Sequence, residues 1–159
     1  MLSILPENPT LENYETITTK IPYFQIVCNT VFIAAVVMAF KVFTSFIVAY
    51  ASSIWISRGK NVLYFVLIST MFIPFSVTMI SNYITLSKVD LLDNVWGVIL
   101  PQLSDAMGIF LLRQQMRSIP GALFEVARLE KTPHRVIMTK IVLPVIRPAV
   151  ISTAIIFFY

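Results

Sequence analysis

The sequence predicts an all-α fold, a polytopic transmembrane helical bundle. Three observations carry that expectation. First, 57% of the 159 residues are hydrophobic and 13% charged, with a mean hydropathy of +0.82. A soluble domain is roughly half apolar and about a quarter charged, so this chain has too few charges to cover a water-facing surface. Second, three long apolar stretches run through the chain. Third, Lys and Arg gather in alternate connections between them, as they do in membrane proteins.

The first apolar stretch, Ile26 to Ile56, is interrupted only by Lys41. Fully helical, it measures about 46 Å, too long for one upright span and too short for two, so a single tilted helix projecting beyond the bilayer fits best. The second, Val62 to Ile84, is uncharged with a central Pro74, and the third, Val95 to Leu112, carries Pro101 and Asp105. As continuous helices these reach about 35 Å and about 27 Å, against a hydrocarbon core of about 30 Å. Each is long enough for one span, with Pro74 bending the second. The layout is an extracytoplasmic segment over 1–25, three spans over 26–112, a cytoplasmic loop over 113–148 and the start of a further span over 149–159.

Charge sets the orientation. Of the 12 Lys and Arg, nine follow the first or the third span: Arg58, Lys60, Arg113, Arg117, Arg128, Lys131, Arg135, Lys140 and Arg147. The loop SKVDLLDNV holds Lys88 against Asp90 and Asp93, and the first 25 residues hold Glu7, Glu12 and Glu15 against Lys20. By the positive-inside rule the basic connections are cytoplasmic and the others lie outside. The net charge of +4 reflects this bias and makes no case for nucleic acid. MLSILPENPT lacks the basic start and apolar run of a signal peptide. The twelve residues after Arg147 reach only about 18 Å as a helix. An interior piece of a larger membrane protein, or the product of a disrupted gene, is therefore expected.

The cytoplasmic segment EVARLEKTPHRVIMTKIVLPVIRP, Glu125 to Pro148, is the most informative. Pro120 suits a helix start and Gly121 a turn. Leu123, Val126, Ala127 and Leu129 recur at helical spacing among Glu125, Arg128 and Glu130, and Pro133 ends this short helix. A second apolar pattern, from Val136 through Ile141 and Leu143, runs until Pro144. Two short angled helices suit the groove of a partner protein, and equally an anionic lipid surface.

The segment resembles the EAA loop of ABC-transporter permease subunits, whose pattern is E-A-A, two residues, D-G, about nine residues, then I, one residue, L-P. Glu125-Val126-Ala127 stands for E-A-A, Glu130-Lys131 for D-G, and Ile141 with Leu143-Pro144 for the ending. The likeness extends over nearly the whole chain and is best for the sugar and sn-glycerol-3-phosphate branch, through PTLENYETI, CNTVFIA, FIVAYA and GIFLLRQQMRSIP. It implies a MetI-like permease fold, incomplete here, in a bacterial inner membrane. The family's loop forms a coupling helix that docks in a cleft of an ATP-binding subunit. Glu125 would be the polar anchor, Val126, Ala127 and Leu129 the docked apolar face, and Leu143-Pro144 the turn back into the membrane. A second permease subunit and an extracytoplasmic substrate-binding protein are the other implied partners. No phosphate cradle accompanies Gly59-Lys60, so ATP would be hydrolysed by a partner and the chain itself holds no cofactor. Where the family has Asp-Gly, Glu130 lengthens a cap residue and Lys131 costs about 1 kcal/mol at a positive φ, or forces another geometry, which weakens docking.

Two ionisable residues lie within the predicted spans. Such residues mark pathways or partners by default. Lys41 either faces the transport cavity and attracts an anion such as a phosphate ester, or snorkels or pairs between helices. Asp105 either lines the same pathway or pairs with Lys41. Cys28 and His134 are read as packing and surface residues, and nothing in the spacing of Cys and His implies a metal site. No convergent His, Cys or carboxylate set argues for an enzyme. The alternative to a working permease subunit is a degenerate remnant that at most associates with partners.

Overall fold

The structure is a computed structural model that describes residues 14, 15, 19, 22–54 and 59–159. Most of the 1–25 segment, Arg58 and the end of the first apolar stretch lie outside these residues. The chain divides into two compact units, 1–32 and 33–159. The described part of the first is chiefly the opening turns of helix α1 (Tyr23–Ser53), where Tyr23, Phe24 and Phe32 are exposed. Apart from those turns, the features described below lie in the second unit.

α1 runs for 31 residues without a break because its sequence contains neither Gly nor Pro. It is the one described helix long and apolar enough by itself to cross a membrane. Its buried positions, Val37, Ser45, Phe46, Ala49, Tyr50 and Ser52, concentrate toward its C-terminal end.

The second stretch departs from the single kinked helix expected of it. Helix α2 (Lys60–Ser69) tightens into a 3₁₀ turn over Thr70–Phe72, and helix α3 (Phe75–Lys88) leaves at 96°. Pro74 does more than bend the helix. A proline disfavours the helical conformation in the residue before it, and Ile73 is extended at ψ 119°, so the helix stops and a new one starts from Pro74.

The third stretch is also two pieces, bent by 42°. Helix α4 (Val95–Ile99), capped by the Asn94 side chain on the Trp96 amide and followed by a 3₁₀ turn over Leu100–Gln102, leads to helix α5 (Ala106–Arg117). Asp105 lies at the break as the cap of α5, accepting from the amides of Met107 at 2.8 Å and Gly108 at 3.3 Å. These two backbone donors have no partner within the helix, which is why an acidic residue belongs there.

Helix α6 (Gly121–Leu129) begins after Pro120 and ends before Pro133, as the spacing predicts. Helix α7 (His134–Val145) does not stop at Pro144. A widened turn with i→i+5 character over Ile137–Val142 precedes the proline and gives its ring the room a regular helix denies it. The chain turns instead at Ile146, by 79°, into helix α8 (Arg147–Phe158), whose Pro148 sits in the tolerant first turn. Leu143-Pro144 is therefore inside a helix and is not the turn. The core gathers Phe46, Ala49, Tyr50 and Ile54 of the α1 end against Leu112, Met116 and Ile119 from α5 and the residues just after it, Ala127 of α6, and Ile137, Val142 and Ile146. No strand occurs among the described residues.

Candidate functional site

Two sites emerge, one at the end of α1 and one along its length. At the end, α6 lies with Phe124 and Ala127 turned into the core. Arg128 donates to the Ile54 carbonyl at 3.3 Å, satisfying an acceptor at the α1 terminus that has no partner within its own helix. The other face is open. Val126 is 54% and Leu129 84% exposed, with Leu123, Glu125 and Glu130 beside them. Ala127, expected on the docking face, is 4% exposed and belongs to the core. It follows Phe124 by three residues and therefore shares its side of the helix, opposite Val126 and Leu129. Glu125 lines a small cavity of about 280 Å³ together with Lys60, Arg117 and Arg128.

The turn after α6 is closed by backbone alone. The Lys131 amide donates to Arg128 O at 3.0 Å and the Thr132 amide to Ala127 O at 2.9 Å, the paired bonds of a Schellman ending. That motif needs a left-handed residue at its first position past the cap, and Lys131 supplies it at φ 52°. Of the two outcomes expected for a lysine at this position, the turn is kept and the strain accepted. Glu130 occupies the C-terminal cap position of α6, where its own amide bonds Val126 O at 3.0 Å. Beyond the turn, Tyr50 Oη lies 2.8 Å from His134 Nδ1 and donates weakly to the His134 carbonyl at 3.4 Å. The α6–α7 hairpin is thus fastened to α1 at Tyr50 and again at Ile54.

Farther back along α1 lies a cavity of about 880 Å³, bordered by the α2–α3 corner, α4 and the start of α5. Lys41 and Asp105 both line it. They also form an ion pair at 3.6 Å, with side chains 16% and 30% exposed, so the paired alternative holds for each. Asp105 divides its oxygens: Oδ1 caps α5 and Oδ2 meets the lysine. The Lys41 ammonium also sits 5.1 Å from the centre of the Phe157 ring on α8, within cation–π range.

The broken backbone between α4 and α5 is stabilised by hydroxyls of α1. Thr44 Oγ1 donates to Leu103 O at 3.0 Å, and Ser45 Oγ reaches Asp105 O at 3.5 Å. Away from water, an unpaired carbonyl at a helix break is costly, and a neighbouring hydroxyl removes much of that cost. Gly108 lets α1 and α8 close in here, since a Cβ at that position would lie 2.6 Å from both Phe157 Cζ and Ser45 Oγ.

Sequence reasoning missed two functions. Asp105 was readable as a cap, because Ser104-Asp105 directly precedes an apolar helical run. Arg113, counted there among the cytoplasmic charges, is only 7% exposed. Its guanidinium lies 3.5 Å from the Tyr64 ring centre and donates to Asn61 Oδ1 at 3.4 Å, tying α5 to α2. Its place four residues after Ile109 and three before Met116, on the buried stripe of α5, is the signal that could have found it. Among the described residues no group of His, Cys, Asp and Glu is placed to hold a metal ion.

No family model matches the chain. It is 32% identical over 153 residues to the putative ABC transporter permease protein ORF2 of Caldicellulosiruptor sp. (strain Rt8B.4), covering 95% of this chain and 55% of the relative. It is 28% identical over 151 residues to the arabinooligosaccharides transport system permease protein AraQ of Halalkalibacterium halodurans, covering 94% and 54%. With the sn-glycerol-3-phosphate transport system permease protein UgpE of Brucella abortus (strain 2308) it shares 25% over 164 residues, covering 99% and 58%. The chain thus spans about half the length of the curated relatives it matches. The fold is all-helical among the described residues, and the similarity to permease proteins of ABC and sugar transport systems is sustained over nearly the whole chain, in agreement with the resemblance read from the sequence.

Proposed function

We propose that this chain serves as part of the membrane-embedded permease of an ABC importer for a sugar or sn-glycerol-3-phosphate. In this reading it has the MetI-like arrangement in a bacterial inner membrane, crossing it several times. It lines the translocation pathway with the large cavity beside Lys41 and Asp105. ATP is hydrolysed by separate ATP-binding subunits; a second permease subunit and an extracytoplasmic substrate-binding protein complete the system. Support for a lipid environment comes from the large apolar side chains left exposed on α1, α2 and α3, such as Phe43, Phe65, Phe72 and Phe75. Three further helix pairs, each bent at a short break, have the combined length and composition of a span.

One observation carries the coupling role. The α6–α7 hairpin is held to α1 on its inner side, by Arg128 and His134, while Val126 and Leu129 stand open on its outer side and Glu125 sits at the flank, on the rim of the small cavity. An apolar helix face with a carboxylate beside it, rigidly mounted, is what a partner's groove requires. Leu143 and Pro144 then act within α7, keeping the widened turn, instead of as a hinge. The test is capture of the candidate ATP-binding subunit by this chain in nanodiscs, comparing wild type with Glu125→Ala. Capture that weakens in the variant supports the anchor role; equal capture removes it. Absence of capture by the wild type favours the remnant reading.

A further inference from the structure

We propose that Asp105 sets the charge selectivity of the large cavity: by neutralising Lys41 it suits the site to an uncharged polyhydroxylated ligand and turns it against anions. The inference rests on the reading of that cavity as the translocation pathway. Among the residues lining it, Lys41 and Asp105 are the charged ones. The polar remainder, including Thr78, Asn82, Tyr83, Gln102 and Ser104, consists of hydroxyls and amides, which both donate and accept and suit the hydroxyls of a saccharide. Phe75 adds an aromatic side chain to the wall.

The geometry explains why Lys41 alone is misleading. A partly buried ammonium in a cavity attracts anions strongly. Here it is already held by Asp105 Oδ2 at 3.6 Å and by the Phe157 ring at 5.1 Å. An incoming carboxylate or phosphate meets an occupied cation and a fixed negative charge beside it, and juxtaposed like charges are penalised. Because Asp105 is fixed by its cap bonds to the Met107 and Gly108 amides, it cannot swing away to free the lysine without uncapping α5.

The dual role also supplies a clean variant. Asn is as good a helix cap as Asp, so Asp105→Asn removes the charge while preserving the start of α5. We would measure equilibrium binding of neutral arabinotriose and anionic trigalacturonate to the full chain in nanodiscs. Wild type is expected to prefer arabinotriose. Asp105→Asn is expected to shift the binding ratio about tenfold or more toward trigalacturonate, in a manner that added salt weakens. Lys41→Gln combined with Asp105→Asn should restore the neutral preference. An unchanged ratio in Asp105→Asn, with helicity and melting retained, overturns the proposal and leaves the pathway reading intact. Should Asp105→Asn fail to fold, Lys41→Gln alone decides: the ratio must move further toward arabinotriose, and an unmoved ratio overturns the proposal. Failure of wild type to bind either sugar removes the pathway reading and the proposal with it, whatever the ATP-binding subunit does.

Discussion

Helices α2 and α3 are rich in large apolar side chains and bury none of them, whereas α5 to α8 close around the end of α1 in a continuous core. Apolar content does not separate the two regions. What differs is how their small and polar residues are used. On α2 and α3 the hydroxyls bond their own helix: Ser69 to Phe65 O, Thr70 to Leu67 O, Thr78 to Phe75 O, Ser81 to Val77 O and Thr85 to Ser81 O. Elsewhere hydroxyls such as Thr139 and Thr153 do the same, but there some polar groups also reach across, with Thr44 on Leu103 O, Tyr50 on His134 and Arg128 on Ile54 O. Between helices in lipid, where burial of apolar surface supplies little drive, small residues and polar contacts decide which helices associate. In the proposed membrane setting, α2 and α3 present a surface for lipid or for neighbouring helices, while α5 to α8 form the packed base.

The strongest way to break this comparison is by matched truncation. Leu112, fully buried, should cost about 2–5 kcal/mol when changed to Ala. Phe65→Ala, a larger deletion at a position 71% exposed, should change stability by less than about 0.5 kcal/mol. Reversible unfolding in mixed micelles, followed by circular dichroism, checks both; comparable losses would mean that α2 packs as α5 does.

Glycines sharpen the same contrast at intermediate size. Gly108→Ala should destabilise by about 1–3 kcal/mol, because the added methyl meets Phe157 and Ser45. Gly121→Ala, with nothing within 4 Å of its Cβ, should stay within about 0.5 kcal/mol of wild type in the same unfolding experiment. The smallest effect is a gain. Lys131→Gly relieves a left-handed lysine and should add about 1 kcal/mol, visible as slower proteolysis of the α6–α7 turn. Unchanged or faster cleavage would refute the strain argument.

How much of this was legible beforehand depended on whether the signal was local. α1 was readable as one helix because nothing in it breaks a helix, and α6 was readable between Pro120 and Pro133. The prolines inside apolar runs were not. Pro74 ends a helix and Pro144 is absorbed by one, and the difference lies in whether the preceding turn widens, which composition does not reveal. Facing was harder still. Ala127 and Val126 are adjacent and both apolar, yet one is buried and the other exposed, and only the partner helix says which is inward. The bond between Lys41 and Asp105 joins residues far apart in sequence, so each charge could be singled out alone but not matched.

Ala127 has one more consequence. α6 rests on the core through Phe124 and the small methyl of Ala127, and Ala127 works as a shim beneath the outer face. Any larger side chain at 127 would lift or tilt Leu123, Val126 and Leu129 without altering their chemistry. The height of the proposed docking surface is thus governed from below, by a position no partner ever touches.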